Sequence, residues 1–358
     1  MPDYPLPEKE VMDLLFEGLV IPAHPLALTN QRQFDERRQR ALTRYYLDAG
    51  AGGLAVGVHS TQFEIREEQY GLFEPVLRLA AEEISRWELS HSRRIVRIAG
   101  ICGLTPQAVE EAVQARQLGY HAGLLSLGAM GGKSPAEMIR HCRRVAQEIP
   151  LFGFYLQPAA GGVILPYAFW RELVEIPNLV GIKVAPFNRY QTMDVMRAVA
   201  ESGRAEEIAL YTGNDDHILL DLLSEFVIPV NGRKVSLHFH GGLLGHWAVW
   251  TKKAVEILEM CKQARQKSVI PTELIILANQ VTDCNAAFFD APNQYAGALS
   301  GISEVLRRQG LLENALCLSE RERLSLGQAE EIERVYRLYP HLNDDEFVHQ
   351  NLSRWLEG

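Results

Sequence analysis

Cysteine is scarce in this chain, and the five present, Cys102, Cys142, Cys261, Cys284 and Cys317, are odd in number and widely spaced. No C-x-x-C pair occurs among them, so neither a zinc knuckle nor a disulfide framework organises the fold, and reduced, buried thiols are expected. Long apolar runs are also missing: no stretch approaches the roughly 20 residues that a membrane-spanning helix needs. The amino terminus, MPDYPLPEKEVMDLLFEG, has acids where a secretory leader would carry bases followed by an apolar run, so a cytoplasmic protein with no membrane association is expected. Positive charge is in deficit as well, with 36 Lys and Arg against 45 Asp and Glu and a formal net charge of −9. The basic residues are scattered among acids rather than gathered into a footprint for phosphates, so nucleic acid is not expected as a partner. Finally, no G-x-G-x-x-G turn follows the first apolar run, which speaks against an open, doubly wound dinucleotide-binding sheet.

What is present is an alternation. Short apolar runs and longer amphipathic segments succeed one another to about residue 266, the pattern of repeated βα units. Eight runs read as strands: GLVIPA (18–23), GLAVGV (53–58), RIVRIA (94–99), AGLLSL (122–127), LFGFY (151–155), LVGIKVA (179–185), IALYTG (208–213) and VSLHFH (235–240). Most are nearly continuous in apolar residues, as parallel strands covered on both faces must be. Helix starts follow at the right distance, including Thr105-Pro106 and Ser134-Pro135 with Glu137 three residues after the serine. Eight units favour closure into a (β/α)8 TIM barrel of the α/β class. Beyond Pro271 the alternation stops and helices are expected. The expected organisation is an amino-terminal extension over residues 1–17, a barrel over 18–268, and a carboxy-terminal helical region over 269–358 packed on the barrel.

Barrel active sites lie at the carboxyl ends of the strands, where polar residues interrupting apolar runs carry the chemistry. Lys183 in LVGIKVA is the clearest interruption. Turned into the barrel, its ammonium would be disfavoured by burial, and the neutral amine would be a nucleophile able to condense with a ketone or aldehyde. Tyr155 ends the preceding strand and would converge with Lys183 on one pocket, moving protons or polarising the carbonyl. The residues alone leave open a lysine that snorkels from a strand end and a tyrosine that caps the core. A rival constellation sits in HFHGGLLGH: His238 and His240 have a metal-binding spacing, with His246 nearby and Asp215 and Asp216 after strand seven. On that alternative the chain is a metal-dependent barrel hydrolase. A third alternative is a catalytically inactive, ligand-binding barrel.

The stretch FYLQPAAGGVILPYAFWRELVEIPNLVGIKVA resembles the centre of the dihydrodipicolinate synthase and N-acetylneuraminate lyase family, the class I, Schiff-base aldolase barrels. VIPAHPL resembles the family's first strand, LAVGVHSTQFEIRE its loop after strand two, and YTGNDD its turn after strand seven. The resemblance places Lys183 on the Schiff-base lysine and Tyr155 on the family tyrosine. It implies a lyase, by aldol cleavage, aldol addition or dehydration, acting on a 2-oxo acid such as pyruvate or a related aldehyde or ketone. No cofactor or metal is implied, since the lysine is itself the electron sink, and a homo-oligomer is. The loop of His59, Ser60 and Thr61 would hold the anionic end of the substrate, and Gly213 and Asn214 would line the pocket from strand seven.

The departures are equally informative. Val58 and His59 stand where the family has two threonines gripping a carboxylate. Ala159-Ala160 stand where dihydrodipicolinate synthases place an arginine for the second substrate, and the loop GAMGGKSP contains no tyrosine pair. A divergent member, dihydrodipicolinate synthase-like without being a true dihydrodipicolinate synthase, is the expectation.

Overall fold

Residues 4–267 and 269–357 are described by a computed structural model of the chain. The expected barrel boundary at residue 268 and the first three residues of the amino-terminal extension lie outside the described residues. The strands are β1 (Val20–Pro22), β2 (Gly53–Val56), β3 (Val96–Ile101), β4 (Ala122–Leu125), β5 (Leu151–Leu156), β6 (Leu179–Ala185), β7 (Ala209–Thr212), β8 (Phe226–Val230), β9 (Arg233–Leu237) and β10 (Gly241–Leu244). All but β8 and β9 form one sheet in the order β1-β10-β7-β6-β5-β4-β3-β2, and a parallel bridge between Ala23 and Ala55 brings the ends together. With helices between successive strands, this is a nearly closed (β/α)8 barrel.

Seven of the expected strands coincide with β1 to β7. The eighth does not. The run VSLHFH supplies β9, which pairs antiparallel with β8 outside the barrel, while the barrel's eighth strand is the following GGLL. The physical reason lies in both segments. VSLHFH alternates apolar and polar residues, the signature of a half-exposed antiparallel strand. Two glycines hide β10 from a hydropathy reading, and the first is demanded by packing: a Cβ on Gly241 would sit 2.2 Å from the Leu19 carbonyl oxygen.

The chain divides into two compact units, one of Met1–Leu19 with Val96–Leu243 and one of Val20–Ile95 with Leu244–Gly358. In the first, β3 to β7 follow one another in parallel register, Phe154 opposite Lys183 and Lys183 opposite Tyr211. Every residue of these strands is buried, as strands sandwiched between helices and a barrel interior require. Two expected helix starts are realised. Thr105 opens helix Thr105–Gln117, and Ser134 caps helix Pro135–Ala146 through a reciprocal box with Glu137. The amino-terminal helix Lys9–Glu17 packs on β7 through a hydrogen bond from the Tyr211 hydroxyl to the Leu15 carbonyl (2.9 Å).

In the second unit the carboxy-terminal helices cover the helix Glu36–Ala49. Arg354 and the Trp355 indole both donate to Asp48 (2.7 Å each), and Arg44 donates to the Trp355 carbonyl (2.7 Å). Asp344 is buried and accepts from the Tyr45 hydroxyl (2.8 Å), the Gln309 amide (2.8 Å) and the Lys252 backbone N–H (3.0 Å). Glu83 takes hydrogen bonds from Arg40, Arg44 and Arg86. Buried carboxylates with this many donors hold elements in register.

Candidate active site

Lys183 lies near the end of β6 and is 8% exposed. Its stem runs over Gly213 so closely that a Cβ there would lie 2.6 Å from Lys183 Cε and 2.7 Å from the Ala185 Cβ. Only glycine leaves that slot open. At the tip, Nζ sits 4.6 Å from the centre of the Phe154 ring, the residue opposite it in the ladder. Among the described residues Nζ has no hydrogen-bond partner and no ion pair within 4 Å. Burial therefore dominates, and the pKa falls from 10.5 to about 8, with the nearby Asp215 carboxylate pulling the other way. At pH 7 roughly a tenth of such an amine is uncharged, a few hundred times the fraction for an ordinary lysine.

Tyr155 is not brought beside this amine, which corrects the expected convergence. Successive strand residues point to opposite faces, so with Phe154 turned toward Lys183, Tyr155 faces the helix layer. There its ring leans on Trp170 (5.1 Å between centroids) and its hydroxyl bridges the Leu165 backbone, donating to the carbonyl and accepting from the N–H, both at 3.3 Å. Burial raises the phenol's pKa. The geometry gives Tyr155 the task of fixing the loop after β5.

Gly213 and Asn214 do lie at the end of β7, beside Lys183 in the first case only. Asn214 is buried and committed: its amide nitrogen donates to Asp221 (2.9 Å) and Thr192 (3.3 Å), and its carbonyl oxygen accepts the Phe187 N–H (3.0 Å). It braces the turn. Asp215, weighed from the sequence only as a metal ligand, is buried and is the carboxylate that acts on Lys183. Phe154 was not singled out at all. Its role depends on the β5–β6 register, which no local pattern reveals.

The segment after β2 belongs to the other unit. Ser60 donates to the Ala23 carbonyl (2.7 Å), while Thr61 donates to the His24 carbonyl (2.6 Å) and accepts the Gly57 N–H (3.0 Å). Both hydroxyl protons are thereby spent on backbone. His59 begins this short 3-10 turn, with its ring 5.8 Å from Phe63. His24, fully buried, is held by Thr43 (2.9 Å) and Gln39 (3.0 Å), and burial takes its pKa down to about 4, so the ring is neutral.

The metal constellation is not assembled. His238 and His240 lie before β10, at the entry rather than the carboxyl end of the strand, and His240 Nδ1 accepts the Leu210 N–H (3.2 Å). His246 is buried in the second unit against Asn285 (3.1 Å) and Phe288. Among the described residues no group of three or more His, Cys, Asp or Glu side chains is placed to hold a metal ion. Nor is any described helix long and apolar enough to cross a membrane.

Comparison with known proteins bears on this geometry. The sequence profile of the dihydrodipicolinate synthetase family matches residues 16–225. A 4-hydroxy-tetrahydrodipicolinate synthase of Acaryochloris marina (strain MBIC 11017) is 28% identical over 207 residues, 55% of this chain and 64% of that protein. One from Cyanothece sp. (strain PCC 7425 / ATCC 29141) is 31% identical over 123 residues, 34% of this chain and 40% of that protein. The chain thus spans less than two thirds of either relative's length. Among solved structures, N-acetylneuraminate lyase from Fusobacterium nucleatum has a TM-score of 0.70 at 17% identity, covering 90% of this chain and 99% of that one. YagE, a prophage protein of E. coli K12 solved in complex with pyruvate, has a TM-score of 0.71 at 18% identity, covering 90% and 97%. At such identities the likeness shows the fold.

Proposed function

Because the chain belongs to the dihydrodipicolinate synthetase family, we propose that it is a Schiff-base-forming lyase acting on a 2-oxo acid or related carbonyl compound, with Lys183 as its nucleophile. The observation that carries this reading is the buried amine itself, whose pKa of about 8 leaves a useful neutral fraction at working pH. Its lone pair adds to the ketone carbon, the carbinolamine loses water, and the resulting iminium draws electrons from the adjacent carbon. Cleavage, addition or dehydration at that carbon all draw on this one electron sink. Pyruvate is the first substrate to try, since it is bound in one of the fold relatives.

Ala159 and Ala160 offer no guanidinium for a second carboxylate, so a true dihydrodipicolinate synthase reaction is not part of the proposal. Nor is a phenol relay through Tyr155, whose hydroxyl is engaged with Leu165. The hydroxyl protons of Ser60 and Thr61, already donated to the Ala23 and His24 carbonyls, are likewise not part of the proposal as donors to a substrate anion.

The test is direct. The protein is incubated with pyruvate and a panel of longer 2-oxo acids, reduced with borohydride, and peptide-mapped by mass spectrometry. The expected result is a reduced adduct on Lys183 with at least one of them. Binding without any adduct would replace the lyase with a ligand-binding barrel, and an adduct confined to other lysines would remove Lys183 from the mechanism.

A further inference from the structure

A buried polar cluster lies one layer behind the amine, at the ends of β6 and β7. At its centre is Asp221, fully buried in the helix Ile218–Leu223. One carboxylate oxygen accepts the Thr212 hydroxyl (2.7 Å) and the Asn214 amide (2.9 Å). The other accepts Arg189 and His217, the latter at 3.2 Å. Asn214 passes the constraint on, because its carbonyl oxygen holds the N–H of Phe187, four residues beyond Lys183. Phe187 sits at φ 52°, in the left-handed region that a bulky residue adopts only when its surroundings impose it. The Gly213 N–H is tied in turn to the Val184 carbonyl (2.8 Å).

The network therefore fixes two turns at once, the one leaving β6 and the one leaving β7. Lys183 is threaded between their consequences. Its stem lies in van der Waals contact with Gly213, and the carboxylate that acts on its amine, Asp215, is two residues further along the same turn. A shift of that turn by a fraction of an ångström must move the amine, its dry surroundings and its neighbouring charge together.

We infer that Asp221 is the positioning residue of the site: through Thr212 and Asn214 it holds the Gly213-Asp215 turn that sets where the Lys183 amine stands and how dry it is kept. The inference rests on the reading of Lys183 as the reactive amine. Arg189, 40% exposed at its side chain, is by contrast an outer partner that contributes to holding the helix and not to aiming the turn.

Two readouts on the intact protein separate this from plain stability. Competitive acetylation of Lys183 by acetic anhydride across pH reports the amine's pKa without any substrate, and the rate of borohydride-trapped pyruvate adduct reports its reactivity. In Asp221→Asn, which keeps the shape but puts a donor where acceptors are needed, the acetylation midpoint should rise by about half a unit or more as water reaches the amine, and trapping should slow about ten-fold or more. Asn214→Ala should do the same in weaker form, which keeps the test alive if the first variant fails to fold. Arg189→Leu should lower the melting temperature and leave the midpoint in place. A folded Asp221→Asn protein with the parental midpoint overturns the inference, and so does an Arg189→Leu midpoint displaced as far as that of Asp221→Asn. Failure of the parent protein to form any adduct would instead count against the lyase reading, and the acetylation midpoints would still decide the role of Asp221.

Discussion

Lys183 and Asp344 are both ionisable side chains buried in this protein, and they are treated in opposite ways. Asp344 sits among the carboxy-terminal helices with three donors aimed at it, and it joins the Tyr45 hydroxyl, the Gln309 side chain and the backbone of Lys252 into one knot. Lys183 has the face of a phenyl ring and one neighbouring carboxylate. A buried group whose partners are all supplied is a fastener, since removing it strands every donor around it. A buried group left short of partners stores the cost of its own charge, and that cost is what makes an amine give up its proton near neutrality.

The contrast breaks most sharply in the adduct assay. Lys183→Ala should abolish the trapped adduct altogether, whereas Asp344→Ala should retain it in whatever fraction remains folded. On stability the order reverses. Asp344→Ala should lose roughly 3–5 kcal/mol in urea unfolding, because three donors lose their acceptor in a closed space.

Lys183→Met sharpens the comparison with a gain instead of a loss. The unfolded amine binds its proton up to about pH 10.5 and the folded amine only up to about 8. Between those values the unfolded state holds more protons, so stability rises with pH, and below pH 8 the folded state bears the whole penalty, about 3 kcal/mol. The methionine variant should therefore be more stable than the parent at pH 7 by up to about that amount, with the advantage fading as the pH approaches 10.5. Parallel denaturation curves at pH 7 and pH 10 check this, and an advantage that does not narrow would mean the amine is not desolvated. The smallest effect concerns Tyr155→Phe, which should cost about 1 kcal/mol through the two long hydrogen bonds to Leu165 while leaving the yield of adduct unchanged. A loss of adduct there would restore the phenol to the chemistry.

Lys183 was legible in the sequence as a single amine interrupting a continuous apolar run, and the run itself marks a strand covered on both faces, but the residues alone left open whether that amine turned inward or snorkelled out. Tyr155 was legible as a strand end but not in its direction. Which face a residue takes follows from the parallel register of β5 on β6, set by contacts some 30 residues apart in the chain. The last barrel strand was hidden for a different reason: close approach to the Leu19 backbone requires glycine at Gly241, and glycine carries no hydropathy signal. The knot around Asp221 draws on residues 189, 192, 212, 214 and 217, none of which is informative until folding gathers them. Ser60 and Thr61 were expected to hold the anionic end of the substrate, but a hydroxyl's single proton goes to the nearest good acceptor, and here backbone carbonyls claim both.

One measurement bears most directly on the reactive amine: the pH dependence of the rate at which pyruvate, or whichever 2-oxo acid proves reactive, is trapped on Lys183. A dry, readily deprotonated amine requires a rate that climbs with pH and levels off near its pKa of about 8. A rate still climbing beyond pH 10, as for a lysine in water, would contradict it.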